Sequence, residues 1–195
     1  MKQDFNADYW QQRYTQHNTG WDTGSITTPL KDYFDQLENK ALRILIPGCG
    51  NAYEAEYLYQ NGFKNVFLVD FAPGPLQNFA QRVPDFPVEQ LLHQDFFELE
   101  GEYDLIVEQT FFCALNPALR PEYARKAASL LKPGGKLAGL LFNTTFQKPG
   151  PPFGGNREEY RLYFEPYFNF LHFELAYNSI PPRQGNELFI LLEVK

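Results

Sequence analysis

The sequence is poor in cysteine, in basic charge and in long apolar runs, and each shortage closes off a class of protein. Two cysteines, Cys49 and Cys113, among 195 residues do not make a disulfide framework, so a reducing, cytoplasmic setting is expected. Seventeen Lys and Arg against 24 Asp and Glu leave a net charge of −7. With the two signs interspersed there is no basic field to draw in a phosphate backbone, and nucleic acid is not expected as a partner. No apolar run approaches the roughly 18 residues of a membrane-spanning helix, and the start MKQDFNADYW is too polar for a secretory leader. His17, His93 and His172 lack metal-ligand spacing, and neither cysteine lies in a C-x-x-C pattern or near a histidine, so no metal is assigned. No Ser-His-Asp or paired-carboxylate pattern supports hydrolysis.

What the chain does have is length for one domain with a substantial core, a monomer being the favoured state, and many aromatic side chains, with 19 Phe and 12 Tyr. Rings supply apolar area to a core and an electron-rich face to a flat or cationic ligand. Along the chain, residues 6–17 read as a helix capped by Asn6. A second helix begins near Thr28, with Pro29 in its first turn and Leu30, Tyr33, Phe34 and Leu37 on its apolar face. Strands are expected at 41–46, 65–70, 88–95, 103–109 and 136–143. The intervening helices carry Tyr53, Tyr57 and Leu58, cover 74–82, and run from Pro117 to Leu131 before KPGG. A Gly- and Pro-rich loop at 147–155, a helix at 156–166 and strands at 168–177 and 187–194 complete the chain. Short apolar strands alternating with helices predict an α/β fold: a doubly wound, mainly parallel sheet with a helical N-terminal prefix. Ligands of such sheets bind at the carboxyl ends of strands near the switch point.

The segment LIPGCGNAYEAEYL at 45–58 runs from a strand through glycines into a helix. Its GCGNAY keeps only the first two glycines of the dinucleotide fingerprint, Gly48 and Gly50, with Tyr53 at the third position. Asp70 ends the next strand 20 positions after Gly50, where a carboxylate accepts hydrogen bonds from ribose hydroxyls. By itself the pattern serves a nucleoside-containing cofactor or simply a tight turn with a helix cap. The missing glycine counts against a dinucleotide pyrophosphate. S-Adenosylmethionine, with a carboxylate and an adenosine but no phosphate, makes similar demands.

LIPGCGNAYE, the acid of VFLVD, HQDFF, YDLIVEQTFFCALNP and LLKPGGKLAGLLF succeed one another in an order that resembles class I S-adenosylmethionine-dependent methyltransferases. DYWQQRYTQHNTGWDTG and QKPGPPF narrow the resemblance to the thiopurine S-methyltransferase family, including its halide and thiol methyltransferase branch. The resemblance covers nearly the whole chain. It implies a seven-stranded Rossmann-like domain in which residues 1–40 cover the cofactor and 41–195 form the α/β core. It also implies S-adenosyl-L-methionine as methyl donor and S-adenosyl-L-homocysteine as product.

By the same resemblance Trp10, Tyr14 and Trp21 fold over the cofactor, although Tyr14 stands where a tryptophan is expected. Gly48 and Gly50 approach the methionine moiety and Asp70 the ribose. Asp95 meets the adenine amino group while Phe96 covers the ring. Gln109 faces the cofactor's carboxylate or the substrate; this position is basic in the mammalian thiopurine branch and tyrosine in the plant halide branch, so Gln109 leaves substrate choice open. Phe111, Phe112, Phe153 and Arg183 are candidates for the acceptor pocket, with Phe153 in a loop that closes over the site. The implied reaction is in-line methyl transfer to a small thiol, sulfide, halide or thiopurine, which needs positioning and a dry pocket more than an acid. The alternatives are O- or N-methylation on the same fold, with His17 as a loosely placed base, a non-catalytic cofactor-binding protein, or an NAD-binding oxidoreductase.

Overall fold

A computed structural model describes residues 5–195; the first four positions of the expected prefix lie outside the described residues. Seven strands form one sheet in the order β3-β2-β1-β4-β5-β7-β6. They are β1 (Ile44–Pro47), β2 (Val66–Asp70), β3 (Leu91–His93), β4 (Tyr103–Gln109), β5 (Leu131–Phe142), β6 (Phe168–Leu175) and β7 (Glu187–Val194). The first five run parallel, and β7 is antiparallel to both β5 and β6. The helices are α1 (Ala7–Thr15), α2 (Thr28–Phe34), α3 (Tyr53–Gln60), α4 (Pro73–Arg82), α5 (Arg120–Ser129) and α6 (Arg157–Phe164).

One face of the sheet is covered by Leu30 and Phe34 of α2, Ala55 and Leu58 of α3, and Leu76 and Phe79 of α4. The other is covered by Tyr123 of α5 and by Tyr160 and Phe164 of α6. Burying both faces explains why the central strands read as continuous apolar runs, ILIP in β1 being buried throughout. Each Leu or Phe so removed from water contributes about 1.5–3 kcal/mol.

The local departures from the sequence expectations have identifiable causes. The strand expected at 88–95 is a 3-10 turn at Val88–Gln90 followed by the three residues of β3. The helix expected from Pro117 opens as a 3-10 turn, Pro117–Leu119, because Pro121 has no N–H to give and the α-helix restarts with it in the first turn. KPGG does not merely precede β5: Tyr103 pairs with Leu131 but Leu105 with Lys136, so residues 132–135 loop out of the ladder. α1 is capped by the Asn6 side chain, which accepts from the Tyr9 N–H at 3.0 Å. β1 pairs with β2 on one side and β4 on the other, so the chain reverses direction across the sheet at the carboxyl end of β1.

Candidate active site

A cavity of about 750 Å³ opens at that reversal, lined from the turns after β1, β2, β3 and β4, from α1 and the loop behind it, and from the C-terminal turn that carries Arg183. The glycine turn forms its floor. Gly48 and Gly50 have φ of +52° and +54°, a region open to glycine at little cost. A Cβ at Gly48 would lie 2.1 Å from the Phe111 ring, and one at Gly50 3.0 Å from the Tyr14 hydroxyl. Ala52 takes the same left-handed conformation, φ +53°, before α3 begins.

Asp70 is buried at the end of β2. Its carboxylate accepts from the Ala72 N–H at 2.9 Å and the Gly50 N–H at 3.3 Å. Burial outweighs these donors and lifts its pKa to about 6. Each carboxylate oxygen keeps a second lone-pair direction for another donor. Asp95 caps a short turn, accepting from the Phe97 N–H at 2.9 Å, and also lines the cavity. Phe96 is buried behind it, edge-on to Phe111 with centroids 5.4 Å apart.

The aromatic prefix forms one wall. Trp21 meets Trp10 and Tyr14 edge to face at 5.4 and 5.7 Å. Arg13 lies over the Trp21 ring at 5.2 Å and donates to the Asn18 carbonyl at 2.8 Å, tying α1 to the loop behind it. The prefix is also held to the core, since the Gln11 side chain accepts from the Gly74 N–H at 2.8 Å. Burial, reinforced by the charge of Asp70, pushes the Tyr14 phenol upward, so it stays neutral.

Beyond β4 the chain turns through Thr110, φ +60°, and Glu108 organises the segment after that turn. This fully buried carboxyl accepts from the Phe111 and Phe112 N–H groups at 2.8 and 2.9 Å and from the Tyr123 hydroxyl at 2.7 Å. Burial nonetheless raises it to about 7. The anchoring sends the two phenylalanines different ways. Phe111 lines the cavity; Phe112 is 1% exposed and packs against Tyr123, Tyr160 and Phe164, which corrects its assignment to the acceptor pocket.

Phe153 requires a similar correction. It stands outside the wall, edge-on to the cavity residue Phe5 at 5.7 Å, while its neighbours Pro151 and Pro152 reach the cavity. Its backbone is pinned: the N–H donates to the Cys113 carbonyl at 2.7 Å, and buried Arg120 donates to the Phe153 and Gly154 carbonyls at 3.1 and 2.9 Å. Gln109 faces the cavity with its Oε1 buried and without a donor among the described residues.

Arg183 is buried, not a solvated surface charge. It donates to the Trp21 carbonyl at 2.8 Å and to Glu187 at 3.3 Å, and lies over the Phe142 ring. Among the wall residues that sequence reasoning missed are Phe142, Phe146, Cys113 and Glu54. Glu54 is 5% exposed in the first turn of α3, and burial raises it to about 7. The only sequence signal for it was an acid one turn into the helix after the glycines. Cys49 and Cys113 are free and buried, Cys113 being pushed up to about 12 by burial. Among the described residues no group of His, Cys, Asp and Glu is placed to hold a metal ion, and no helix is long and apolar enough to cross a membrane.

Comparison with known proteins gives this geometry a family. The thiopurine S-methyltransferase family model matches residues 5–188. A probable thiol methyltransferase 2 of Arabidopsis thaliana is 29% identical over 185 residues, covering 91% of this chain and 81% of its own. A thiopurine S-methyltransferase of Acinetobacter baylyi is 26% identical, covering 82% and 84%. Among solved structures, the Burkholderia thailandensis 1,6-didemethyltoxoflavin-N1-methyltransferase with bound S-adenosylhomocysteine aligns with a TM-score of 0.76 at 16% identity, over 97% of this chain and 87% of that one. The Synechocystis magnesium protoporphyrin IX methyltransferase with bound S-adenosylmethionine gives 0.70 at 15%, over 97% and 95%. The chain belongs to the thiopurine S-methyltransferase family and is an S-adenosylmethionine-dependent methyltransferase of a small nucleophile.

Proposed function

We propose that the nucleophile is a small sulfur compound, a thiol or sulfide, with halide as a close second. The observation that carries this reading is Arg183, a buried guanidinium paired with Glu187 at 3.3 Å, at a cavity that Phe111, Phe142, Phe146, Pro151 and Cys113 also line. A fixed guanidinium edge beside rings and a thiol suits a small, polarisable sulfur nucleophile, and offers little to a neutral hydroxyl or amine needing several hydrogen bonds. The names of relatives, probable thiol methyltransferase and thiocyanate methyltransferase in Arabidopsis thaliana, support it.

The cavity fits the family's methyl donor. A Cβ at Gly48 would overlap Phe111 and one at Gly50 would press on the Tyr14 hydroxyl, and Asp70 and the orphaned Gln109 Oε1 offer acceptors to hydroxyl and amino donors. In this reading Asp70 holds the ribose, Asp95 and Phe96 the adenine, and Gly48, Gly50 and Gln109 the methionine end. Trp10, Tyr14 and Trp21, within a prefix 5–40 that covers the site, face the sulfonium with rings that attract a cation without attacking it. When bound, the donor supplies an electrophilic methyl group and a neutral leaving sulfur. The protein then has to hold a nucleophile in line at about 3–3.5 Å and keep water out. Phe111, Arg183 and the Pro151–Pro152 wall perform that task, with Phe153 locking the wall from outside. The two free thiols suit the reducing, cytoplasmic setting expected from cysteine usage.

Incubation with methyl-labelled S-adenosylmethionine and a panel of thiols, sulfide, iodide and thiopurines tests the proposal. Label is expected in methyl thioethers. Donor binding without transfer to any of these acceptors would refute it.

A further inference from the structure

We infer that Glu54 takes the proton from a thiol substrate at the Arg183 end of the cavity, an assignment that rests on the sulfur-acceptor reading above. Glu54 is nearly fully buried yet lines the cavity. No salt bridge reaches it among the described residues. Its ionised form is favoured only by the backbone N–H groups of Glu54 itself and Thr27 and by the charge of Arg183. Glu108, the other carboxyl lifted so far by burial, spends its oxygens on three donors and does not line the cavity. A buried carboxyl supported by backbone N–H groups alone, with no ion pair, is costly to the fold, and this one lines the cavity.

Its position is specific. Arg183 precedes β7, whereas Asp70 and Asp95 follow β2 and β3 on the opposite side of β1. Glu54 lies in the first turn of the helix after β1, under the influence of Arg183 from the C-terminal turn and of Asp22 from the prefix loop. Cys49 on the glycine turn is the other titratable group coupled to it, and stays a thiol because burial raises it. Lys31 and Asp35 at α2 pair with each other and with Tyr57, further along α3. Tyr53 on the first turn of α3 is raised chiefly by burial and stays neutral.

A thiol with a pKa near 8.5 is only a few per cent ionised at pH 7, and a base titrating near neutrality is well matched to it. The S–H bond breaks with its electron pair kept on sulfur, and the proton passes to a Glu54 carboxylate oxygen. The thiolate then forms the new S–C bond, while the pair of the broken C–S bond stays on the departing sulfur. The proton returns to solvent after product leaves. Thiocyanate is already an anion and has no proton to give.

The test compares a small alkyl thiol with thiocyanate as acceptors for the full chain and for Glu54→Gln. In the unmodified protein, kcat/KM for the thiol is expected to rise through pH 7 along a limb that is absent with thiocyanate. Glu54→Gln is expected to lower the thiol-to-thiocyanate ratio about 100-fold. Infrared titration of the protein alone supplies a readout free of turnover: a protonated carboxyl band that disappears near pH 7 and is missing in Glu54→Gln, with the Glu108 band retained. Identical pH profiles for the two acceptors, an unchanged ratio, or a Glu54 ionised throughout would overturn the inference while leaving the sulfur reading intact. Failure to methylate either acceptor despite binding of S-adenosylhomocysteine would remove both. Should Glu54→Gln fail to fold, the midpoint of the thiol limb in the unmodified protein decides the matter: a limb near pH 7 supports the inference, and one at the thiol's own pKa overturns it.

Discussion

The two ends of the cavity are built on different principles. At the β2 and β3 end the polar groups are strand-end acids whose oxygens are already half engaged by backbone N–H groups, Asp70 with Ala72 and Gly50, and Asp95 with Phe97. At the β4 to β7 end the polar groups include a buried arginine paired with Glu187 and a buried glutamate that no salt bridge reaches, held by contacts between residues far apart in sequence. In the proposed reading the first end holds the sugar and the base of the donor, and the second, lined by rings, takes the acceptor.

The largest expected effect comes from the floor that joins the two ends. Gly48→Ala drives a Cβ into Phe111 in a left-handed backbone conformation and should cost about 3 kcal/mol. That corresponds to a fall in Tm of roughly 6–12 °C, with loss of donor binding, both readable by calorimetry. An unchanged Tm would mean that Phe111 moves freely and the ends are not joined at this point.

Next is Asp70→Ala, which should weaken S-adenosylhomocysteine binding by about 1.5–3 kcal/mol, the worth of hydrogen bonds to a charged group. The same carboxyl gives a pH dependence with a definite sign. Its pKa is raised on folding from 3.8 to about 6, so the stability it contributes is present below about pH 4 and is lost as pH rises through about 6. Ribose hydroxyls favour the ionised form, so ligand affinity should instead rise across that window and lose this slope in the Ala variant. Isothermal titration at several pH values checks both.

Legibility in the sequence shows the same division. Asp70, the glycine turn and the succession of strands and helices along the chain came from local pattern: apolar runs, a Gly-x-Gly and an acid 20 positions on. The prefix helix was legible from Asn6 and its aromatic spacing. What was not legible depends on tertiary context. Nothing in the doublet at 111 and 112 says which phenylalanine enters the cavity; Glu108 decides it by binding both N–H groups. Arg183 is buried against the usual preference of its type because the Trp21 carbonyl and Glu187 lie opposite it, 162 and 4 positions away in sequence. Phe153 falls outside the wall because Arg120 pins its carbonyl.

A smaller effect separates the ring wall from both ends. Trp10→Leu should reduce the preference for the sulfonium donor over its neutral product by about 0.5–2 kcal/mol, the range of a cation–π contact, while leaving product affinity nearly unchanged. Equal losses for both ligands, measured by competition binding, would make Trp10 a packing residue only. Smallest is Gln109→Leu, expected to cost about 1 kcal/mol in donor binding through loss of one acceptor. No loss would leave the Oε1 of Gln109 outside the ligand's reach.

The most direct measurement of the division of the cavity is a crystal structure with S-adenosylhomocysteine and a thiol bound together. The ribose is expected on Asp70 and the adenine against Phe96, with the thioether sulfur beneath Trp10 and Trp21 and the thiol between Phe111, Arg183 and Glu54. Adenosine at the Arg183 end, or a thiol lodged over Asp70, would contradict it.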